Sequence, residues 1–186
     1  ARISLVDLVA GTAKNLPVDE GDEPGRIAVE PGLRAHVVMR RSGDVVAIDL
    51  VKGEILRRTH VCRIPRGIAY DPLKSSLYVA CAEGQLVALD ASTGNVLAAL
   101  EAPEDARDVV VSNGDIFISQ FRSATVTSIA EGIVAPARPD NHLAWRMAVL
   151  PGAGTPVIVS ERMLDPRAPS VATSGASYYG PLSQGR

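Results

Sequence analysis

The chain has no run of about 18 consecutive apolar residues, so no segment is long enough to cross a bilayer as a helix. It has no basic excess. Its 19 Lys and Arg stand against 21 Asp and Glu, and the net charge is −2, so nucleic acid is not an expected partner. Cysteine is nearly absent. Cys62 and Cys81 fall in no CxxC, CxxCH or zinc-finger spacing, so neither haem attachment nor a metal site is expected within the chain, and no cofactor is expected either. His36, His60 and His142 are far apart in sequence and belong to no HExxH; His36 and His142 read as surface or packed residues. There is no initiator Met and no charged-then-apolar leader. Ala1-Arg2-Ile3-Ser4-Leu5 reads as a strand already under way, which leaves room for a signal peptide removed or lying outside the chain. What is present is an ordinary globular composition, 46% hydrophobic and 22% charged over 186 residues, enough for one domain with a real core.

Short runs of Val, Ile, Leu and Ala are cut by Gly, Pro, Asn and Asp every eight to twelve residues, the pattern of an all-β chain. The runs repeat. Arg26-Ile27-Ala28-Val29-Glu30-Pro31, then Pro65-Arg66-Gly67-Ile68-Ala69-Tyr70-Asp71-Pro72, then Arg107-Asp108-Val109-Val110-Val111-Ser112, then Trp145-Arg146-Met147-Ala148-Val149-Leu150-Pro151 each set a short strand after an arginine and close in a turn. Ile27, Ile68, Val109 and Met147 follow one another at 41, 41 and 38 residues. Second strands are expected at His36–Met39, Leu77–Ala80, Ile116–Ser119 and Val157–Ser160. Third strands are expected at Val45–Asp49, Leu86–Asp90 and Val126–Ile129, and Ile3–Asp7 matches them. Fourth strands are expected at Glu54–Leu56, Asn95–Leu97 and Ile133–Val134. Four strands at a period of about 40 residues make the blade of a β-propeller. The expected fold is therefore an all-β propeller of about four four-stranded blades over residues 1–162, with units near 1–19, 24–62, 65–102, 106–138 and 145–162. The segment 163–186, with its Tyr178-Tyr179-Gly180-Pro181 cluster, reads as an irregular tail or linker.

The first unit lacks inner strands and the last lacks outer ones. Either the chain is a partial larger propeller of six to eight blades, or its two halves pair and close a four-bladed ring. The larger ring is favoured, because four blades require the tightest curvature.

Three motifs carry a resemblance. Pro-Arg-Gly-Ile-Ala-Tyr-Asp-Pro (65–72), Leu-Tyr-Val-Ala (77–80) and Val-Ala-Leu-Asp-Ala-Ser-Thr-Gly (87–94) resemble the YVTN-type propeller repeats of bacterial surface and periplasmic proteins. The Val-Ile-Val-Ser-Glu-Arg at 157–162, with the later Tyr-Tyr-Gly, is similar to propellers that precede a di-haem cytochrome c domain. The resemblance covers residues 1 to about 162 and implies a periplasmic or extracellular bacterial protein. It also implies surface recognition of a protein partner, or a cytochrome c domain outside this chain. Gly84–Asp90 through Thr93-Gly94 is similar to quinoprotein repeats, but Leu97 to Leu100 stand where those repeats carry a Trp.

Propeller geometry puts the beginnings of the inner strands and the ends of the second strands on one face, here called the upper face. Arg26, Arg66, Arg107 and Arg146 are expected to ring its mouth, joined by Arg122 and Arg162 from the second loop set. Convergent guanidinium forks suit carboxylate or phosphate, so a small anionic ligand or a protein partner is the expected occupant. The competing reading is structural, with the arginines bonding loop carbonyls or neighbouring acids. Cys62 and Cys81 also fall on this face, and a disulfide between them stands against two free thiols; an exported protein favours the bond. No nucleophile–base pair stands out, so the chain reads as a binding scaffold, with a redox part beside a cytochrome or quinone as the alternative.

Overall fold

The computed structural model describes residues 1–135 and 141–162. The end of the 106–138 unit, the 163–186 tail and the side chains of His142 and Arg162 lie outside the described residues. Every described regular element is a strand, and all pair antiparallel. β1 (Arg2–Asp7) and β2 (Thr12–Pro17) form a first hairpin. Sheet I is β3 (Pro24–Glu30), β4 (Arg34–Met39), β5 (Asp44–Asp49) and β6 (Glu54–His60), paired in chain order. Sheet II is β7 (Pro65–Asp71), β8 (Ser76–Cys81), β9 (Gln85–Asp90) and β10 (Val96–Glu101). Sheet III is β11 (Ala106–Ser112), β12 (Asp115–Gln120), β13 (Val126–Ser128) and β14 (Gly132–Ala135). β15 (Asn141–Val149) and β16 (Pro156–Arg162) form a last hairpin.

The repeated aspartates explain why the turns recur. Asp7, Asp49 and Asp90 each close a third strand, and one carboxylate oxygen accepts the N–H groups two and three residues on: Val9 and Ala10, Val51 and Lys52, Ser92 and Thr93. These bonds hold all three carboxyls below their ordinary value, with the Ser92 hydroxyl the largest contributor at Asp90. The β6 ladder runs four residues past the expected Leu56, because Arg57 to His60 continue to pair with β5.

Sheets stack in chain order, so the middle ones are buried on both faces. That is why β4 and β8 read as continuous apolar runs rather than alternating ones. Val37, Met39, Val46 and Ile48 pack on Ile3 and Leu16 of the first hairpin. Val38 and Val45 face the other way, onto Leu77, Val79, Val87 and Leu89 of sheet II. Tyr78, Ala80 and Leu86 then meet Val109, Ile116 and Ile118 of sheet III. Each buried Val, Leu, Ile or Met side chain among these contributes about 1.5–3 kcal/mol. The outer strands repeat one tie: the Lys14 ammonium donates to the Lys52 carbonyl at 2.8 Å, and Arg57 donates to the Ser92 carbonyl at 2.7 Å.

The inner strands β3, β7, β11 and β15 stand side by side in that order. β7 and β11 approach so closely that a Cβ on Gly67 would sit 2.8 Å from the Asp108 Cα and the Val109 nitrogen, so only glycine fits. Cys62, in the loop into β7, is joined to Cys81 at the end of β8, with Cα atoms 6.4 Å apart. Both are buried in the core between sheets I and II. Purified protein should gain two hydrogens in mass on reduction; an unchanged mass would show two free thiols.

Candidate functional site

Each inner strand carries a one-residue bulge near its start, and β15 carries a further slip between Asn141 and Leu143. The register slips between Pro24 and Ile27, Pro65 and Gly67, Ala106 and Asp108, and Ala144 and Arg146. Aligned on these slips, the four arginines do not share one register position. Arg26 and Arg146 immediately precede Ile27 and Met147, where sheets II and III carry Gly67 and Asp108. Arg66 and Arg107 lie one residue earlier, in the bulge itself, where the last hairpin carries Trp145. Successive strand residues point to opposite sides, and a bulge re-aims the residue it adds.

The arginines therefore divide into two sets. Arg26 and Arg146 line a channel of about 260 Å³ between the four inner strands, with Asp108, Ile68, Val109 and Met147. The channel mouth is not purely basic. Arg26 Nε lies 3.7 Å from the Asp108 carboxylate, and its Nη2 donates to the Trp145 carbonyl. Asp108 also accepts the Met147 N–H at 2.9 Å. Burial pushes the Asp108 carboxyl above its ordinary value, while the Met147 N–H, Arg26 and Arg146 pull the other way.

Arg66 and Arg107 line a smaller groove of about 90 Å³ on the upper face, with Ala82, Asp105, Ala106 and Phe121. The Arg107 guanidinium carbon sits 4.8 Å from the centre of the Phe121 ring and 5.7 Å from that of Trp145. The two rings meet edge to face, 5.6 Å apart. Aromatics make up 4% of the chain, yet its only Trp and one of its two Phe meet here beside an arginine. Arg122 is exposed at the rim; its backbone N–H bonds Asp105 at 3.0 Å and its Nε lies 3.9 Å from the same carboxylate. Arg162 ends β16.

A second cluster on this face was not singled out from the sequence. Arg58 reaches from β6 to Asp22 at 2.6 Å, Asp44 at 2.8 Å and Asp19 at 3.2 Å, and His60 Nδ1 lies 3.1 Å from Asp44. Asp22 and Asp44 are buried. A signal existed: Arg57 and Arg58 interrupt an outer strand whose counterpart in β10 is Ala98 and Ala99. Among the described residues no group of three His, Cys, Asp or Glu is placed to hold a metal ion, and no helix is long and apolar enough to cross a membrane.

No family model matches the chain, and no curated protein matches it. Solved structures do. A catalytically inactive virginiamycin B lyase from Staphylococcus aureus, with quinupristin, superposes with a TM-score of 0.69 at 11% identity, over 86% of this chain and 56% of that one. The fold is of the β-propeller type. Hydrazine synthase from Kuenenia stuttgartiensis gives 0.65 at 15% identity, over 81% of this chain and 45% of that one. Glutaminyl cyclase from Myxococcus xanthus gives 0.59 at 15% identity, over 81% and 72%. The chain thus spans about half the length of the first two propeller structures. Identities this low carry the fold and no more.

Proposed function

We propose that this propeller is an exported binding scaffold whose upper face recognises a carboxylate or phosphate group, on a small ligand or on a protein partner. The observation that carries the reading is the bulge row. It turns Arg66, Arg107 and Trp145 out of the channel and gathers them beside Phe121. Arginine and large aromatics are the residue types that dominate binding energy at protein interfaces, and a stacked guanidinium keeps its donor fork aimed. The Cys62–Cys81 bond supports an oxidising compartment.

Trp145, the sole tryptophan, packs against the Arg107 and Phe121 that line this groove and serves as the probe. Citrate and inorganic phosphate should perturb its fluorescence and give heat in calorimetry. Arg66→Ala and Arg107→Ala should each weaken binding about 10- to 100-fold, the worth of a charge-assisted hydrogen bond, without unfolding the protein. Arg146→Ala, in the channel, should change it little. Silence of the parent protein in both measurements would overturn the reading. Association with a cytochrome c domain or quinone rests on repeat resemblance alone, and visible absorbance of the purified protein tests it.

A further inference from the structure

We propose that β16 and β1 pair edge to edge within one chain, so that the two hairpins make a single four-stranded sheet and close a ring of four blades.

The two hairpins are complementary in kind. The first supplies a third and fourth strand: Asp7 caps its turn as Asp49 and Asp90 do, and Asp7 faces Thr12 as Asp49 faces Glu54. The last supplies a first and second strand: Met147 faces Ile158 as Ile68 faces Val79. Each hairpin holds the place of half a blade against its own neighbour. Ile3 and Leu16 pack on sheet I, and β15 adjoins β11 of sheet III.

Their positions around the axis argue for four blades. Arg26 of β3 reaches Asp108 of β11, two inner strands away, and also the Trp145 carbonyl of β15. In a ring of six to eight blades, further blades would stand between β15 and β3. Each would add a sheet spacing of about 10 Å, beyond the reach of one arginine. With four, β15 and β3 are neighbours and Arg26 spans the gap between them.

Burial says what covers the open edges. Carrying the pairing of β4 with β5, and of β8 with β9, onto the hairpins gives one register: Asp7 opposite Thr155, Val6 opposite Pro156, Leu5 opposite Val157, Ser4 opposite Ile158, Ile3 opposite Val159 and Arg2 opposite Ser160. In that register the exposed apolar residues are those whose counterparts are core. Val159 is 63% exposed where Val38 and Ala80 are fully buried. Val6 is 59% exposed where Ile48 and Leu89 are buried. Val157 is 38% exposed where His36 and Tyr78 are buried. Pro156, which has no N–H to donate, is the first residue of β16, where a strand tolerates proline. Pairing would also remove two open edges, which otherwise invite association between copies, and would fix Trp145 beside Phe121 and Arg107.

Paired cysteines test the register. Ser4→Cys with Ile158→Cys, and Leu5→Cys with Val157→Cys, are oxidised with glutathione disulfide, which takes up the two hydrogens as two glutathione molecules. Peptide mass mapping then locates the new bond in the monomer fraction. The expected result is an intrachain bond in both pairs. It should exceed the off-register control Ser4→Cys with Val157→Cys on the order of tenfold, because bridging needs Cα atoms about 4.4–6.8 Å apart and side chains on one face. A bond only between copies, no bond, or an equal yield in the control would overturn the proposal. If the variants do not fold, hydrogen exchange on the parent protein decides. The β1 amides that face away from β2 should be protected like those of β5 and β9. Exchange as fast as at the free edge of β10 would overturn it.

Discussion

Replacing Arg58 with methionine should cost about 3–5 kcal/mol of stability at neutral pH, because it strands buried carboxylates that the guanidinium now neutralises. Methionine keeps the length of the stem and removes only the charge and the donors. Asp22 and Asp44 are both buried, and Arg58 donates to both. The hydrogen bond from Arg58 is the largest influence holding the Asp22 carboxyl below its ordinary value, and the same two acids push the Arg58 guanidinium up. For a domain of this size the loss corresponds to a fall in Tm of roughly 10 °C, read by thermal unfolding. The dependence on pH has a definite sign. A carboxyl whose folded value is depressed contributes stability above its unfolded value, near 3.8, and loses it as the pH falls through the folded one. The gap between Arg58→Met and the parent should therefore narrow in strong acid. Asp22→Asn with Asp44→Asn should restore much of the loss in the Arg58→Met background, because removing both sides of a buried pair costs far less than removing one. An Arg58→Met protein as stable as its parent at pH 7 would show that the cluster is solvent-screened and does not tie the loop at Asp19–Asp22 to sheet I.

The repeat was legible because a blade is written in local chemistry. The strands, the Gly and Pro turns and the carboxylates of Asp7, Asp49 and Asp90 all act within a dozen residues. The site was legible only in part, for a physical reason. The arginines before the inner strands differ by a single residue of offset: Arg26 and Arg146 lie one before Ile27 and Met147, Arg66 and Arg107 two before Ile68 and Val109. At a bulge that one residue sends them to opposite sides. One residue of register decides a side chain's face, and spacing alone does not mark a bulge. Trp145 and Phe121 belong to different units, so nothing local brings them together. The same holds for Arg58 and Asp22, 36 residues apart. The pairing of Cys62 with Cys81 could be weighed from sequence because the repeat had already placed both at one end of sheet II.

His36 should make the protein lose stability in mild acid, in a pH window separate from that of Asp22. Its ring is fully buried on β4, and neither ring nitrogen has a hydrogen-bond partner among the described residues. Burial, then the charges of Arg57 and Arg34, push its pKa down from 6.5 to about 4. Glu30, 3.7 Å from Nε2, favours the charged form but does not offset them. The folded state thus holds His36 neutral where the unfolded chain would protonate it. Stability is fully present above about pH 6.5 and falls by about 1.4 kcal/mol for each pH unit below that, until His36 itself protonates near pH 4. The accumulated loss is roughly 3 kcal/mol, seen as an unfolding midpoint in urea that retreats between pH 6.5 and 4. His36→Leu should flatten that limb. It should be at least as stable as the parent at pH 7, since it also removes two buried nitrogens without partners. The corresponding position in sheet II is Tyr78, so the blade itself does not require an imidazole here. Every other ionisable group is common to both proteins, so the difference between them isolates His36. Parallel curves for the parent and His36→Leu would mean that the ring reaches solvent at a cost too small to matter.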